Sequence, residues 1–176
     1  MGAIDSSVIA AITAPHLLYA FVWFLPALWR QVFSKPVRAF QTSATVLKVL
    51  QVVILLRWYS VKSQHEGLKG LNLMKVPMGQ WGAFFLCVFL GQVLNIAVYR
   101  VLGEKGVYYG SRLGKKVAWH KEFPFNLVSH PQYVGAVLTI TGFSALVYGQ
   151  APQGAMTLAG YWASLYAVTA LQEQFL

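Results

Sequence analysis

Residues 78–102 read MGQWGAFFLCVFLGQVLNIAVYRVL. From Trp81 to Tyr99 the run carries no charged side chain. It exceeds the roughly 20 predominantly apolar residues that cross the hydrocarbon of a bilayer as a helix. Its residues do not alternate apolar and polar with a period of two, so a barrel strand is excluded. The stretch reads as a membrane-spanning helix.

The rest of the chain agrees with that solvent. Of 176 residues, 57% are hydrophobic and 11% are charged. A soluble domain carries about 25% charged residues, and so small a charged fraction does not cover a water-facing surface. The mean hydropathy of +0.53 excludes a disordered chain. The length suits one unit, and residues 1–176 are expected to form a single membrane-embedded domain. Cys87 is the only cysteine, which excludes an internal disulfide and a cysteine-based zinc site; no metal site is expected. The net charge is +9. Because the cations lie between apolar runs, they fit anionic lipid headgroups better than nucleic acid. The first 15 residues contain Asp5 and no Lys or Arg, so the basic start of a secretory signal is missing and the segment is expected to stay and insert.

Three further apolar blocks flank the central one. Ser7 to Trp29 is interrupted by Pro15 and Pro26 and reads either as a span or as a re-entrant segment. Ala44 to Leu56 is the weakest block, with Lys48 and Gln51 inside it. Tyr133 to Leu171 is too long for one helix and reads as a hairpin turned at Gly149–Gly154. The expected fold is an all-α integral membrane protein with four to five membrane-embedded helices and a structured cytosolic loop. With the first three blocks as spans, Arg30, Lys35, Arg38, Arg100, Lys105, Arg112, Lys115, Lys116 and Lys121 share one side. Arg57, Lys62, Lys69 and Lys75 share the other. The larger set is expected in the cytosol.

The structured loop, residues 103–130, reads GEKGVYYGSRLGKKVAWHKEFPFNLVSH. It is too polar to span and too rich in glycine and aromatics for a plain linker. Pro131 suits the first position of a helix, preceded by Ser129 and His130. FPFNLVSHPQYVG at 123–135 resembles the motif of the phospholipid N-methyltransferases. LGQVLNIAVYRVLGEKGVYYGSRLGKK at 90–116 and ITAPHLLY at 12–19 are similar to the plant and fungal single-domain members. The likeness covers nearly the whole chain. It implies a multi-pass enzyme of the endoplasmic reticulum membrane that uses S-adenosylmethionine. Its substrates would be phosphatidyl-N-methylethanolamine and phosphatidyl-N,N-dimethylethanolamine in the bilayer, and its product phosphatidylcholine. Unmethylated phosphatidylethanolamine would be the poorest acceptor.

The resemblance also implies a site. The family's Gly-x-Gly falls on Phe89-Leu90-Gly91, which keeps Gly91 alone. Its acidic pair falls on Gln172-Glu173, which keeps Glu173 alone. Tyr108 and Gly110 join these as cofactor-side residues, and Asn126 and Tyr133 as substrate-side residues. Physical chemistry gives each a role. Glu173, a lone carboxylate at a membrane helix, suits the cofactor's ammonium or ribose hydroxyls. Gly91 allows close approach to backbone. Arg112, Lys115 and Lys116 suit the lipid phosphate or the cofactor carboxylate. Tyr108, Tyr109 and Trp119 offer ring faces to cationic groups. His130 is the candidate base, since histidine ordinarily titrates near neutrality. Plainer roles stand beside these: His130 as a helix cap, Gly91 as a packing glycine, Tyr133 as a packing ring and the basic residues as markers of the cytosolic face. Two other functions share the architecture, a carboxyl methyltransferase of prenylated cysteine and a non-enzymatic lipid-binding subunit.

Overall fold

The computed structural model describes residues 5–67 and 70–174. Lys69, counted above among the basic residues of one loop, lies outside the described residues. Six α-helices follow in order: α1 (Ser6–Phe24), α2 (Pro26–Val32), α3 (Pro36–His65), α4 (Met78–Val107), α5 (Pro131–Val147) and α6 (Ala155–Gln172). No strand occurs among the described residues.

The helix ends follow from local chemistry. Asp5 caps α1, its carboxylate accepting from the Ser7 N–H at 2.9 Å. Pro15 lies inside α1 without breaking it, whereas Pro26 ends it. The difference lies one residue earlier: Leu25, at φ −123° and ψ 48°, has the non-helical backbone that a following proline favours. Pro26, Pro36 and Pro131 each stand at the start of a helix, where the missing N–H costs nothing. Gly103, at φ 63°, kinks α4, so the straight span ends where the apolar run ends. Gly154, at φ 91°, supplies the left-handed turn that closes the α5–α6 hairpin. α3 is far longer than the Ala44–Leu56 block, because it continues at both ends through polar residues such as Arg38, Arg57 and Gln64, which end an apolar run without ending a helix. Gln51 is buried, and its amide donates to the Ile12 carbonyl of α1 at 3.2 Å.

α1, α3 and α4 are long and apolar enough to cross a membrane; α5 is a shorter apolar helix of 17 residues. The five long helices pack as a row in the order α3, α1, α6, α5, α4. Its two end members, α3 and α4, lack comparable packing against each other among the described residues. The tightest seam is α4 on α5. A Cβ on Gly91 would lie 2.6 Å from the Gly135 carbonyl oxygen, and one on Gly135 would lie 2.7 Å from that of Gly91. The outward face of α4 presents Phe85, Leu86 and Phe89 to the surroundings, as expected of a surface facing lipid.

Loops tie both ends of the row. At one end the Asn72 N–H donates to the Gln150 amide oxygen at 2.9 Å, and the Gln153 N–H donates to Glu66 at 2.8 Å. At the other, Arg112 of the structured loop reaches the last turn of α1. Its guanidinium donates to the Trp23 carbonyl at 2.9 and 3.3 Å and lies over the Trp23 ring at 4.7 Å. α1 stops at Pro26, so its final carbonyls lack intrahelical donors, and Arg112 supplies one.

Candidate active site

Glu173 stands at the C-terminal end of α6. A carboxylate there opposes the helix dipole and needs donors of its own. Two phenols provide them. The Tyr109 hydroxyl donates to Oε1 at 2.5 Å, and the Tyr133 hydroxyl donates to the same oxygen. The two hydroxyls lie 3.2 Å apart. Oε2 lies 3.5 Å from Nδ1 of His130, whose ring stacks on Tyr133 at 5.8 Å between centroids. Burial first, and then the charge of Glu173, push the phenol of Tyr109 well above its ordinary range, so it remains a donor.

Three elements bring this cluster together. Tyr109 follows the end of α4 with a left-handed backbone, φ 52°, and its ring inserts among Tyr19, Trp23 and Phe40. It stacks on Phe40 of α3 at 5.1 Å and meets Tyr19 edge-on at 6.2 Å. Tyr133 is in the first turn of α5. Glu173 is placed by α6, which is anchored one turn earlier: His16 Nδ1 of α1 and Thr169 Oγ1 of α6 are 2.9 Å apart and buried.

Behind the two phenols lies a cavity of about 350 Å³. Rings dominate its wall, among them Tyr19, Phe40, Tyr99, Tyr108, Tyr133 and Tyr166. The Tyr99 and Tyr108 hydroxyls are hydrogen-bonded at 2.9 Å. Gln92, Asn95, Gln132 and Thr139 add polar groups on the α4–α5 side, and Lys48 adds a cation on the α3 side. A space walled by π-faces attracts organic cations, and the two phenols on its wall connect it to Glu173 behind them.

The structure therefore gathers Glu173, Tyr108, Tyr109, Tyr133 and His130 at one end of the row. Gly91 lies on α4 facing α5: the space before it is filled by Gly135 and Thr139, so the close approach it permits is to a neighbouring helix. Gly110 is buried in the loop, its N–H donating to the Lys105 carbonyl at 2.7 Å. A Cβ there would collide with that carbonyl. Gln172 has a buried amide nitrogen with no partner among the described residues. Arg112 is engaged with Trp23. Lys115, Lys116 and Asn126 are exposed and do not line the cavity. Trp119 is 77% exposed and stands apart from the other rings.

Sequence reasoning missed Tyr19, Phe40, Lys48 and His16. His16 and Tyr19 sit in the ITAPHLLY stretch, and a histidine or a lysine within an apolar run was the signal available.

Residues 81–176 match the family described as phospholipid methyltransferase. The chain is 32% identical over 126 residues to phosphatidyl-N-methylethanolamine N-methyltransferase of Arabidopsis thaliana, covering 72% of this chain and 70% of that protein. No solved structure matches the chain.

Proposed function

This chain belongs to the phospholipid methyltransferase family, and we propose that the aromatic cavity behind Tyr109 and Tyr133 is where its methyl donor and its lipid amine meet. The chain is a membrane-embedded phospholipid N-methyltransferase. The proposed acceptors are phosphatidyl-N-methylethanolamine and phosphatidyl-N,N-dimethylethanolamine, and the proposed donor is S-adenosylmethionine. The carboxyl methyltransferase and the lipid-binding subunit are not favoured, because the relative's name describes transfer to an amine. The proposed location is the endoplasmic reticulum membrane.

The residues present fit the donor's chemistry. S-adenosylmethionine supplies a methyl group activated by a sulfonium cation, together with an ammonium, a carboxylate and a ribose. Oε1 of Glu173 is taken by two phenols; Oε2, 3.5 Å from His130 Nδ1, has a further lone pair to accept from the ammonium or the ribose hydroxyls. Gln172, whose buried amide nitrogen has no partner among the described residues, offers a donor beside that acceptor. The rings that wall the cavity face the cationic centres of both reactants and exclude water from them. Methyl transfer needs the amine lone pair in line with the bond that breaks, so the chief work of the protein is alignment.

The observation that carries this reading is a carboxylate braced by two phenols on an aromatic cavity. Glu173→Gln preserves shape and removes charge. Affinity for S-adenosylmethionine, measured by titration calorimetry on the protein in nanodiscs, is expected to fall by about 1.5–3 kcal/mol, the range for a charged hydrogen bond. Unchanged affinity would refute the role of Glu173.

A further inference from the structure

We propose that the ammonium of Lys48 binds the phosphate of a glycerophospholipid that enters the cavity sideways from the bilayer, between α3 and α4. The inference takes its substrate from the methyltransferase reading.

Lys48 lies inside α3, eight residues beyond Phe40, or about 12 Å along the helix. Phe40 stacks on Tyr109 at the carboxylate end of the cavity. The ammonium of Lys48 lies 5.6 Å from the centre of the Tyr19 ring. It has no carboxylate within 4.0 Å and no hydrogen bond among the described residues. An ionisable side chain within an apolar membrane helix is costly to keep and marks a functional position. Among the described residues, Lys48 is also the only basic one on the cavity wall. Arg112 is committed to Trp23, and Lys115 and Lys116 are exposed outside it.

The charge order along the cavity matches a phospholipid headgroup. In such a lipid the phosphate stands between the acyl-bearing glycerol and the terminal amine. The Tyr109 and Tyr133 phenols, with Glu173 behind them, mark one end of the cavity, and Lys48 is further along α3. A phosphate on Lys48 directs the amine away from that cation, toward the rings and the carboxylate. The reverse orientation sets ammonium against ammonium. The route is supplied by the row of helices, whose end members α3 and α4 contribute Lys48, Gln92 and Asn95 to one cavity without packing tightly together. A lipid using that route keeps its acyl chains in the bilayer.

The test compares Lys48→Gln and Lys48→Arg with the unaltered full chain in nanodiscs. With phosphatidyl-N-methylethanolamine as acceptor, Lys48→Gln is expected to lower kcat/KM about 10- to 100-fold, chiefly through KM, as for loss of a charged hydrogen bond. Lys48→Arg restores most of it. S-adenosylmethionine affinity stays unchanged in both. Binding of short-chain phosphatidylcholine, followed by phosphorus NMR, weakens in Lys48→Gln in parallel and needs no turnover. Unaltered lipid binding and kcat/KM in Lys48→Gln would overturn the proposal, as would equal losses of lipid and cofactor affinity. If the unaltered chain binds the lipid through Lys48 but transfers no methyl group, the methyltransferase reading fails and the phosphate site stands.

Discussion

His130 stands behind Tyr133, with Nδ1 toward Glu173, and it is absent from the cavity wall. From there it steadies the carboxylate and the ring rather than reaching the amine. His130→Asn keeps a polar group at the N-cap of α5 and is expected to reduce turnover only a few-fold. A general base is worth about 10²–10⁴-fold, so a loss of that size in a steady-state assay, with cofactor affinity intact, would make His130 the base. Single residues also mark where sequence reading stops. Glu173, Tyr108 and Tyr133 could be nominated from the sequence because they fall in stretches that resemble the family, and the structure brings them together. Lys48 and Gln51 were read as flaws in an apolar run, yet both face inward, Gln51 to a carbonyl of α1 and Lys48 to the cavity. Composition along a helix does not reveal which way a side chain points until its neighbours are known. The same limit hid His16, whose partner Thr169 is 153 residues away.

At the scale of helices, boundaries were legible wherever one residue dictates backbone geometry. Pro131 opens α5, Gly149–Gly154 turns the hairpin, and the apolar run from Met78 starts α4. Pro15 was ambiguous because a proline removes one backbone donor without fixing whether the helix continues. The seam between α4 and α5 was not legible, since it requires knowing that Gly91 faces Gly135. Gly135→Ala places a methyl 2.7 Å from a backbone oxygen and is expected to destabilise the protein by about 1–3 kcal/mol, as overpacking does. Gly160→Ala, in α6 with nothing within 4 Å of the new methyl, is expected to be neutral or slightly stabilising. Thermal unfolding of the two variants in detergent compares them, and a Gly135→Ala midpoint equal to or above that of Gly160→Ala would show that the seam is loose.

Across the whole molecule, the loops sort the charges. The Arg112–Trp23 contact brings Arg30, Lys35 and Arg38 to the same end as Lys105, Lys115 and Lys116. These basic residues share an end with the Glu173 cluster, to which the same loop contributes Tyr109. By the excess of positive charge, that end is expected on the cytosolic side. In a Cys87→Ala background, cysteines at Lys105 and Lys116 are expected to react with an impermeant maleimide added outside sealed microsomes; reaction only after the vesicles are opened would invert the topology. Finally, the row of helices is tied at both ends and joined side to side everywhere except between α3 and α4. A lipid that enters by the proposed gap leaves by the same gap, so on that route each product returns to the leaflet that supplied it. A molecule released after one addition then competes with its neighbours for readmission. With release between additions, the ratio of half-finished to finished lipid tracks surface density and lateral diffusion.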